Sequence, residues 1–454
     1  MSDKKELSVE EKLAKANKPG EDAKILHKFY GGKIETVPKA CVRSYDDFSI
    51  WYSPGVAAPC KQIAADPELV YDLTCKWNTV AVVSDGTRVL GLGDIGPEAA
   101  MPVMEGKAML FKYLGGVDCV PICLDTKDPD KIIETVRLIA PSFGGINLED
   151  ISNPKCFDIL DALREDCKIP VWHDDQQGTA TVEVAGAINA LKLVGKKLET
   201  ASFTILGAGA ASIAISRLLL NVGVDPKNMC VCDSTGILNN QRTELKGTFR
   251  QKWELCEKTN GAGKTGGMKE AIKDADIVVA ASKPGPGTIP PEYLDGMADD
   301  AIVFATANPT PEIWPWEAKE HGVKVFATGR SDFPNQVNNS MGFPAIFRGV
   351  LDVRAKTITD TMCLAAAKEL AKFAENSKEG LTAEHIIPSM FDTEVFPLEA
   401  VAVGMQAQKE GIARLKLSRQ ELFDRAEFMI NRSRDLTSKM MKDGFIKDPS
   451  GVVD

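Results

Sequence analysis

Ser202-Phe203-Thr204-Ile205-Leu206-Gly207-Ala208-Gly209-Ala210-Ala211-Ser212 is the stretch that decides the fold. An apolar run from Ser202 to Leu206 breaks at a glycine, and beyond Ser212 the residues Ile213, Ile215 and Leu218 to Leu220 continue on a helical period. That pattern reads as strand, tight turn and helix. Gly207 permits the turn, and Gly209, after Ala208, lets a pyrophosphate approach the backbone. The first N–H groups of the helix, at Ala210, Ala211 and Ser212, receive its negative charge. Ser212 stands where a third glycine is usual and still allows close packing. A glycine run by itself fits any tight strand-to-helix turn. Asp233 tips the balance, because it closes the next strand candidate 21 residues after Ser212, where a carboxylate can accept both ribose hydroxyls of a dinucleotide.

Working outward, the same short β-branched runs recur at Met229 to Cys232, Ile277 to Ala281, Ala301 to Ala305 and Val323 to Ala327. Upstream, Val80 to Ser84, Cys119 to Leu124, Gly144 to Leu148 and Ile169 to Trp172 alternate with helical segments, and a long apolar helix from Thr179 to Val194 joins the two series. Beyond Gly349 the pattern turns helical. This alternation predicts an α/β fold with parallel sheets: an α/β domain over residues 1–178, a Rossmann-like doubly wound domain over 179–349, and a helical C-terminal region over 350–454.

Acids close the strands of the first series: Asp94, Glu149-Asp150 and Asp174-Asp175. In an open parallel sheet the carboxyl ends of strands face the ligand crevice, so these acids are placed to converge. An oxygen-rich set without a Cys/His pattern suits a hard divalent cation better than zinc. His173 is a rival ligand, and helix capping by Asp150 and Asp175 is an equal alternative. Gly261-Ala262-Gly263-Lys264-Thr265 resembles the end of a phosphate loop, but position 258 is Lys where that motif needs glycine and no apolar strand precedes it, so it reads as a polar loop.

Composition removes other classes. The 454 residues are 44% apolar and 26% charged with net charge -10, which excludes a largely disordered chain and disfavours a broad nucleic-acid surface. No apolar stretch is long enough for a transmembrane helix. Met1 to Lys18 alternates Lys and Glu without an apolar core, unlike a secretory signal. Eleven cysteines without framework spacing read as mostly buried, reduced thiols. The expected location is the cytoplasm.

Five segments together resemble the malic enzyme family: Tyr52-Ser53-Pro54-Gly55-Val56-Ala57, Leu90 to Pro97, Pro102 to Ala108, His173 to Ala180, and Ser331 to Asn339. They keep the family's order across residues 27–400. The resemblance implies oxidative decarboxylation of L-malate to pyruvate and CO2 with NAD or NADP and Mg2+ or Mn2+. It makes the first domain the substrate- and metal-binding one. It further implies Lys107 as the base that removes the C2 hydroxyl proton, Asp174 as its supporting carboxylate and Tyr52 as the acid that protonates enolpyruvate. Glu149, Asp150 and Asp175 would hold the metal. Arg88 would grip a malate carboxylate, and Asn308, Asn338 and Asn339 would complete the substrate and nicotinamide pocket. The family usually forms homodimers or larger assemblies, with Ala23 to Phe48 a candidate contact.

Cofactor choice stays open in the sequence. Asp233 favours a free 2′-hydroxyl, whereas Arg242 and Lys246 lie close enough in sequence to reach a 2′-phosphate. Two rivals to malate oxidation are a malolactic conversion that retains NAD and releases lactate, and a non-catalytic redox sensor. The sensor gives no reason for Lys107, Tyr52 and the strand-end acids to be present together.

Overall fold

The computed structural model describes residues 8–453. It contains two parallel sheets. The first has four strands, β1 (Thr79–Ser84), β2 (Asp118–Cys123), β3 (Gly145–Leu148) and β4 (Val171–His173), in the order β2-β1-β3-β4 and all parallel. Every residue of β1 and β3 is buried, as expected for inner strands of a sheet covered on both faces.

The second sheet comprises β5 (Phe203–Leu206), β6 (Met229–Asp233), β7 (Gly236–Ile237), β8 (Ile277–Ala280), β9 (Ile302–Ala305) and β10 (Val325–Thr328). Its order is β10-β9-β8-β5-β6-β7, parallel except for the two-residue β7, which pairs antiparallel with β6. The chain leaves β5 for β6 on one side and returns to β8 on the other. The crevice beyond the carboxyl ends of β5 and β8 is therefore a topological switch point, where open α/β sheets bind ligands. The strand β7 has no counterpart in the sequence reading, because two residues carry no periodicity.

The helix Thr179–Leu193 joins the sheets and is buried on most faces. Gly186 lets it approach the ring of Phe304 on β9. The C-terminal helices do not form a detached extension. Phe343–Asp352 is buried along its whole length. Phe343 and Phe347 pack on Phe111 at ring separations of 4.6 and 5.2 Å. Arg348, with no exposed surface, is bound by both Asp352 oxygens (3.0 and 2.7 Å) and by Asn78 Oδ1 (2.5 Å), just ahead of β1. The helix Arg419–Lys442 closes on the same joint through Arg425 Nε and Asp352 Oδ1, 2.8 Å apart.

The sequence reading left the amino-terminal segment without structure, yet Val9–Tyr30 is a 22-residue helix. Ser8 and Glu11 form a capping box, and Gly31 ends the helix in the left-handed region. Its Lys/Glu alternation yields no apolar stripe, and Ala16 is its one buried residue. All eleven thiols are free; five are buried, while Cys119 and Cys123 are only partly so.

Candidate active site

The carboxyl ends of both sheets open onto one cleft of about 440 Å³. From the first sheet, β3 runs into Glu149 and Asp150, and β4 into Asp174 and Asp175. Oxygen atoms of Glu149, Asp150 and Asp175 lie within 4.8 Å of one another. Neither Asp150 nor Asp175 caps a helix by its side chain: the helices starting at Lys155 and Thr179 both lack a side-chain cap. Asp175 Oδ2 instead accepts the backbone N–H of Asp150 at 2.9 Å, and Asp150 sits at φ 54°. Asp150 Oδ2 is buried without a hydrogen-bond partner. Burial, with the neighbouring acids, pushes Glu149 and Asp150 well above the usual carboxylate range. An all-oxygen set of this kind fits Mg2+ or Mn2+. His173 is fully buried with both ring nitrogens unpaired, 3.7 Å from Asp175, and burial holds it below its usual range.

Lys107 reaches this cluster from the helix Pro97–Gly115. It is 8% exposed. Its Nζ binds Asp174 and lies 3.2 Å from Glu149, with the Phe343 ring 4.5 Å away. Burial alone would lower its pKa, but Asp174 and Glu149 outweigh that and hold the ammonium above its ordinary value. Asp174 is itself fixed by the Trp172 indole N–H at 3.2 Å. Residues Asp174–Gly178 form a wide helical turn, and a side chain at Gly178 would collide with the Asp174 carboxylate. The glycine in this motif thus serves the acid four residues before it.

From the second sheet, the turn after β5 enters the same cleft. Gly207 has φ 104°, and a Cβ there would meet the carbonyl of Ala281 at 2.6 Å. Ser212 fills the place of the third glycine usefully: its Oγ donates to Ala281 O at 3.3 Å and pins the helix to the end of β8. No side chain caps the helix Ala210–Val222, so its first N–H groups remain available to an anion.

Asp233 lies at the end of β6 and is held on every side. Arg242 bonds both its oxygens (3.0 and 3.3 Å), Lys252 Nζ one of them (2.9 Å), and Thr235 N and Oγ1 the other (3.0 and 2.8 Å). Burial works to raise its pKa, but these donors prevail and keep it below the usual range. The second cation here is Lys252, not Lys246, whose ammonium lies over the Trp253 ring. Lys252 follows in a later helix, Arg250–Lys258, so proximity in sequence misled.

Arg88, Asn308, Asn338 and Asn339 all line the cleft. Asn338 is half committed, donating to Gly329 O (3.0 Å) and accepting from Ser340 N (3.0 Å). Asp94 does not end a strand. It lies exposed in the loop after β1, paired with Lys127; the acid at that strand end is Asp85, which binds Lys155. Tyr52 is 74% exposed and absent from the cleft lining.

The sequence reading missed Glu312. Its two oxygens accept Ser282 N (2.8 Å), Ser282 Oγ (3.1 Å) and Ala307 N (3.1 Å), tying together the two loops that leave β8 and β9. Burial pushes it up to about 7. No local motif announces such a role.

Comparison with known proteins agrees with this geometry. The malic enzyme N-terminal domain family matches residues 31–164, and the malic enzyme NAD binding domain family matches residues 176–407. The chain is 50% identical over 405 residues to a bifunctional malic/malolactic enzyme of Bacillus subtilis, covering 89% of this chain and 97% of that one. It is 52% identical over 384 residues to an NAD-dependent malic enzyme of Geobacillus stearothermophilus, covering 85% and 78%. The crystal structure of Entamoeba histolytica malic enzyme superposes with a TM-score of 0.96 at 46% identity, covering 99% and 94%. With both domain families matched in order and a shared cleft between the two sheets, the chain belongs to the malic enzyme family.

Proposed function

We propose that this chain oxidatively decarboxylates L-malate to pyruvate and CO2 while reducing NAD+ or NADP+, with Mg2+ or Mn2+ at Glu149, Asp150 and Asp175. The observation that carries this reading is the placing of Lys107, buried against Asp174 and Glu149, in the cleft that also receives the Gly207–Ser212 turn. When bound, a divalent cation would draw electron density from the C2 oxygen and a substrate carboxylate while the C3–C4 bond breaks.

The remaining steps belong to side chains of the protein. Hydride leaves C2 for the nicotinamide only as the hydroxyl proton departs, and Lys107 takes that proton. It must be neutral to do so, whereas the surrounding acids favour its ammonium form; Glu149 and Asp175 would exert less of that bias with their charge shared by a bound cation. Asp174, fixed by Trp172, keeps the amine aimed into the cleft. Arg88 grips a substrate carboxylate, and Asn308, Asn338 and Asn339 close the pocket around substrate and nicotinamide. Loss of CO2 leaves enolpyruvate, whose C3 receives a proton from Tyr52.

Tyr52 can fill that role only by entering a cleft it does not line. It is flanked by exposed Phe48, Ile50 and Trp51, an apolar surface unusual for a segment facing water. We therefore read the protein as a homodimer in which this segment brings Tyr52 to the cleft of a second copy. Co-expression of Tyr52→Phe and Lys107→Ala subunits should then restore activity that neither has alone, and absence of restoration would sink the shared site.

Arg242 and Lys252 offset the charge of Asp233, which supports acceptance of both NAD+ and NADP+. We assign residues up to 178 to substrate and metal, 179–349 to the dinucleotide, and the activity to the cytosol; no helix among the described residues is long and apolar enough to cross a membrane. The decisive test is malate- and Mn2+-dependent appearance of reduced nicotinamide absorbance with each cofactor. Lactate formation without net reduced cofactor would favour the malolactic reading, which the Bacillus subtilis relative makes worth assaying.

A further inference from the structure

The helix Val9–Tyr30 precedes both family-matched segments and buries only Ala16, yet it connects the two sides of the cleft. On the second-sheet side, Arg330 donates from Nη2 to Ala16 O (2.6 Å) and from Nη1 to Pro309 O (2.6 Å). Its Nε and Nη2 also hold the Asp332 carboxylate, both at 2.9 Å. On the first-sheet side, just past the end of the helix, Lys33 donates to Pro102 O at 2.7 Å, on the helix that carries Lys107. Lys12 adds a contact over the Trp316 ring at 5.7 Å.

Pro19 explains why a carbonyl is on offer in mid-helix. It has no N–H for the carbonyl of Lys15, a break that weakens the helix ladder at that turn, and the adjacent carbonyl of Ala16 accepts from an outside donor. Arg330 supplies that donor with a planar fork that can serve two carbonyls and a carboxylate at once. The loop it grips is the one that places Asn308 in the cleft. That loop also meets the opposite lip, because a side chain at Gly91 would collide with Pro284 and the carbonyl of Asn308.

We propose that Arg330 is a positioning residue for the Asn308-Pro309 loop and that the Val9–Tyr30 helix is its brace, holding the loop at the distance from the Lys107 helix that malate oxidation requires. The inference rests on the malate reading above for the role of Asn308. A displaced loop should spoil the alignment of malate with nicotinamide, where small errors are costly. It should leave the Gly207–Ser212 turn, on other strands, untouched.

The test uses the full-length protein with Mn2+. Arg330→Gln should lower kcat/KM for malate roughly tenfold while the cofactor Kd stays within about twofold. Ala16→Leu, which lifts the helix without altering the loop, should move the same parameter in the same direction by less. The double variant should be no worse than Arg330→Gln alone, as for two parts of one device. Amide exchange at residues 306–308 and 310, followed without malate, should quicken in both single variants. Wild-type kcat/KM in Arg330→Gln, full additivity in the double variant, or unchanged exchange would each overturn the proposal. A wild-type protein that reduces no cofactor with malate would instead sink the functional reading, and the exchange data would still judge the brace.

Discussion

The two sheets present their carboxyl ends to the same cleft with opposite electrical means. The first supplies side-chain charge: four acids, Glu149, Asp150, Asp174 and Asp175, against one buried Lys107. The second supplies almost none at its turn. Gly207 to Ser212 carries no ionisable group, and the uncapped N-terminus of the helix Ala210–Val222 offers backbone N–H groups instead. The first arrangement suits a cation and the second an anion, from the same parallel-sheet geometry. Their weak points differ accordingly. The first should fail when a charge is removed without any change of shape, and the second when an uncharged methyl group is added.

Lys107→Ala should give the largest effect, a loss of turnover of at least about 100-fold, with cofactor binding near normal. Near-wild-type turnover would remove the charged end from the chemistry, and partial restoration by small amines would support its role as base. Next, Glu149→Gln and Asp175→Asn keep shape and lose charge, so each should weaken Mn2+ binding by roughly 10- to 100-fold. Unchanged titrations in both would mean that the cluster is not the metal site. At the other end Gly207→Ala adds one methyl group in the left-handed region against the Ala281 carbonyl. Strain of about 1–3 kcal/mol should appear as weaker cofactor binding, read by fluorescence titration, with Mn2+ affinity unchanged.

The charged end should also respond to pH where the backbone end does not. Burial, with the neighbouring acids, raises the pKa of Glu149 and Asp150 above the usual carboxylate range. Protons compete with a cation for these carboxylates as pH falls, so Mn2+ affinity should fall with it, by up to about tenfold per pH unit for each proton released. A flat profile would mean that both acids are already ionised. The smallest effect belongs to Asp233→Ser, which frees Arg242 and Lys252 from their carboxylate partner. The ratio of NADP+ to NAD+ efficiency should rise by a factor of about 5, corresponding to about 1 kcal/mol. Equal kcat/KM values before and after would place Asp233 away from the ribose.

What the sequence discloses follows from how local each signal is. Nine of the ten strands announce themselves as short apolar runs from residue 79 onward, and the glycine turn and the acids after β3 and β4 sit beside their strands. Asp94 was misplaced because a loop carrying Gly86 and Gly93 at positive φ intervenes between β1 and that acid. Lys252, Glu312 and Arg330 act across loops whose path no residue pattern specifies. The helix Val9–Tyr30 escaped for a different reason. It is held by caps and by polar contacts, among them the Arg330 bond to the mid-helix carbonyl of Ala16, rather than by an apolar stripe, so the periodicity that reveals other helices is absent.

The sealing of the first sheet has a consequence for how the protein is made. Gly145 of β3 and Trp172 of β4 pack on Phe347, Asn78 waits for Arg348, and the backbone at Gly116 abuts Met429. All four strands β1 to β4 are synthesised before these covers exist. At ~10 residues per second, a ribosome needs about half a minute to extend the chain from the end of β4 to the last cover. During that interval an apolar sheet face is without its lid, and every contact that completes it spans well over a hundred residues of chain. The half that carries the acid cluster is thus translated first and finished last. Chaperone occupancy on stalled nascent chains should be highest between the emergence of β4 and that of Phe347.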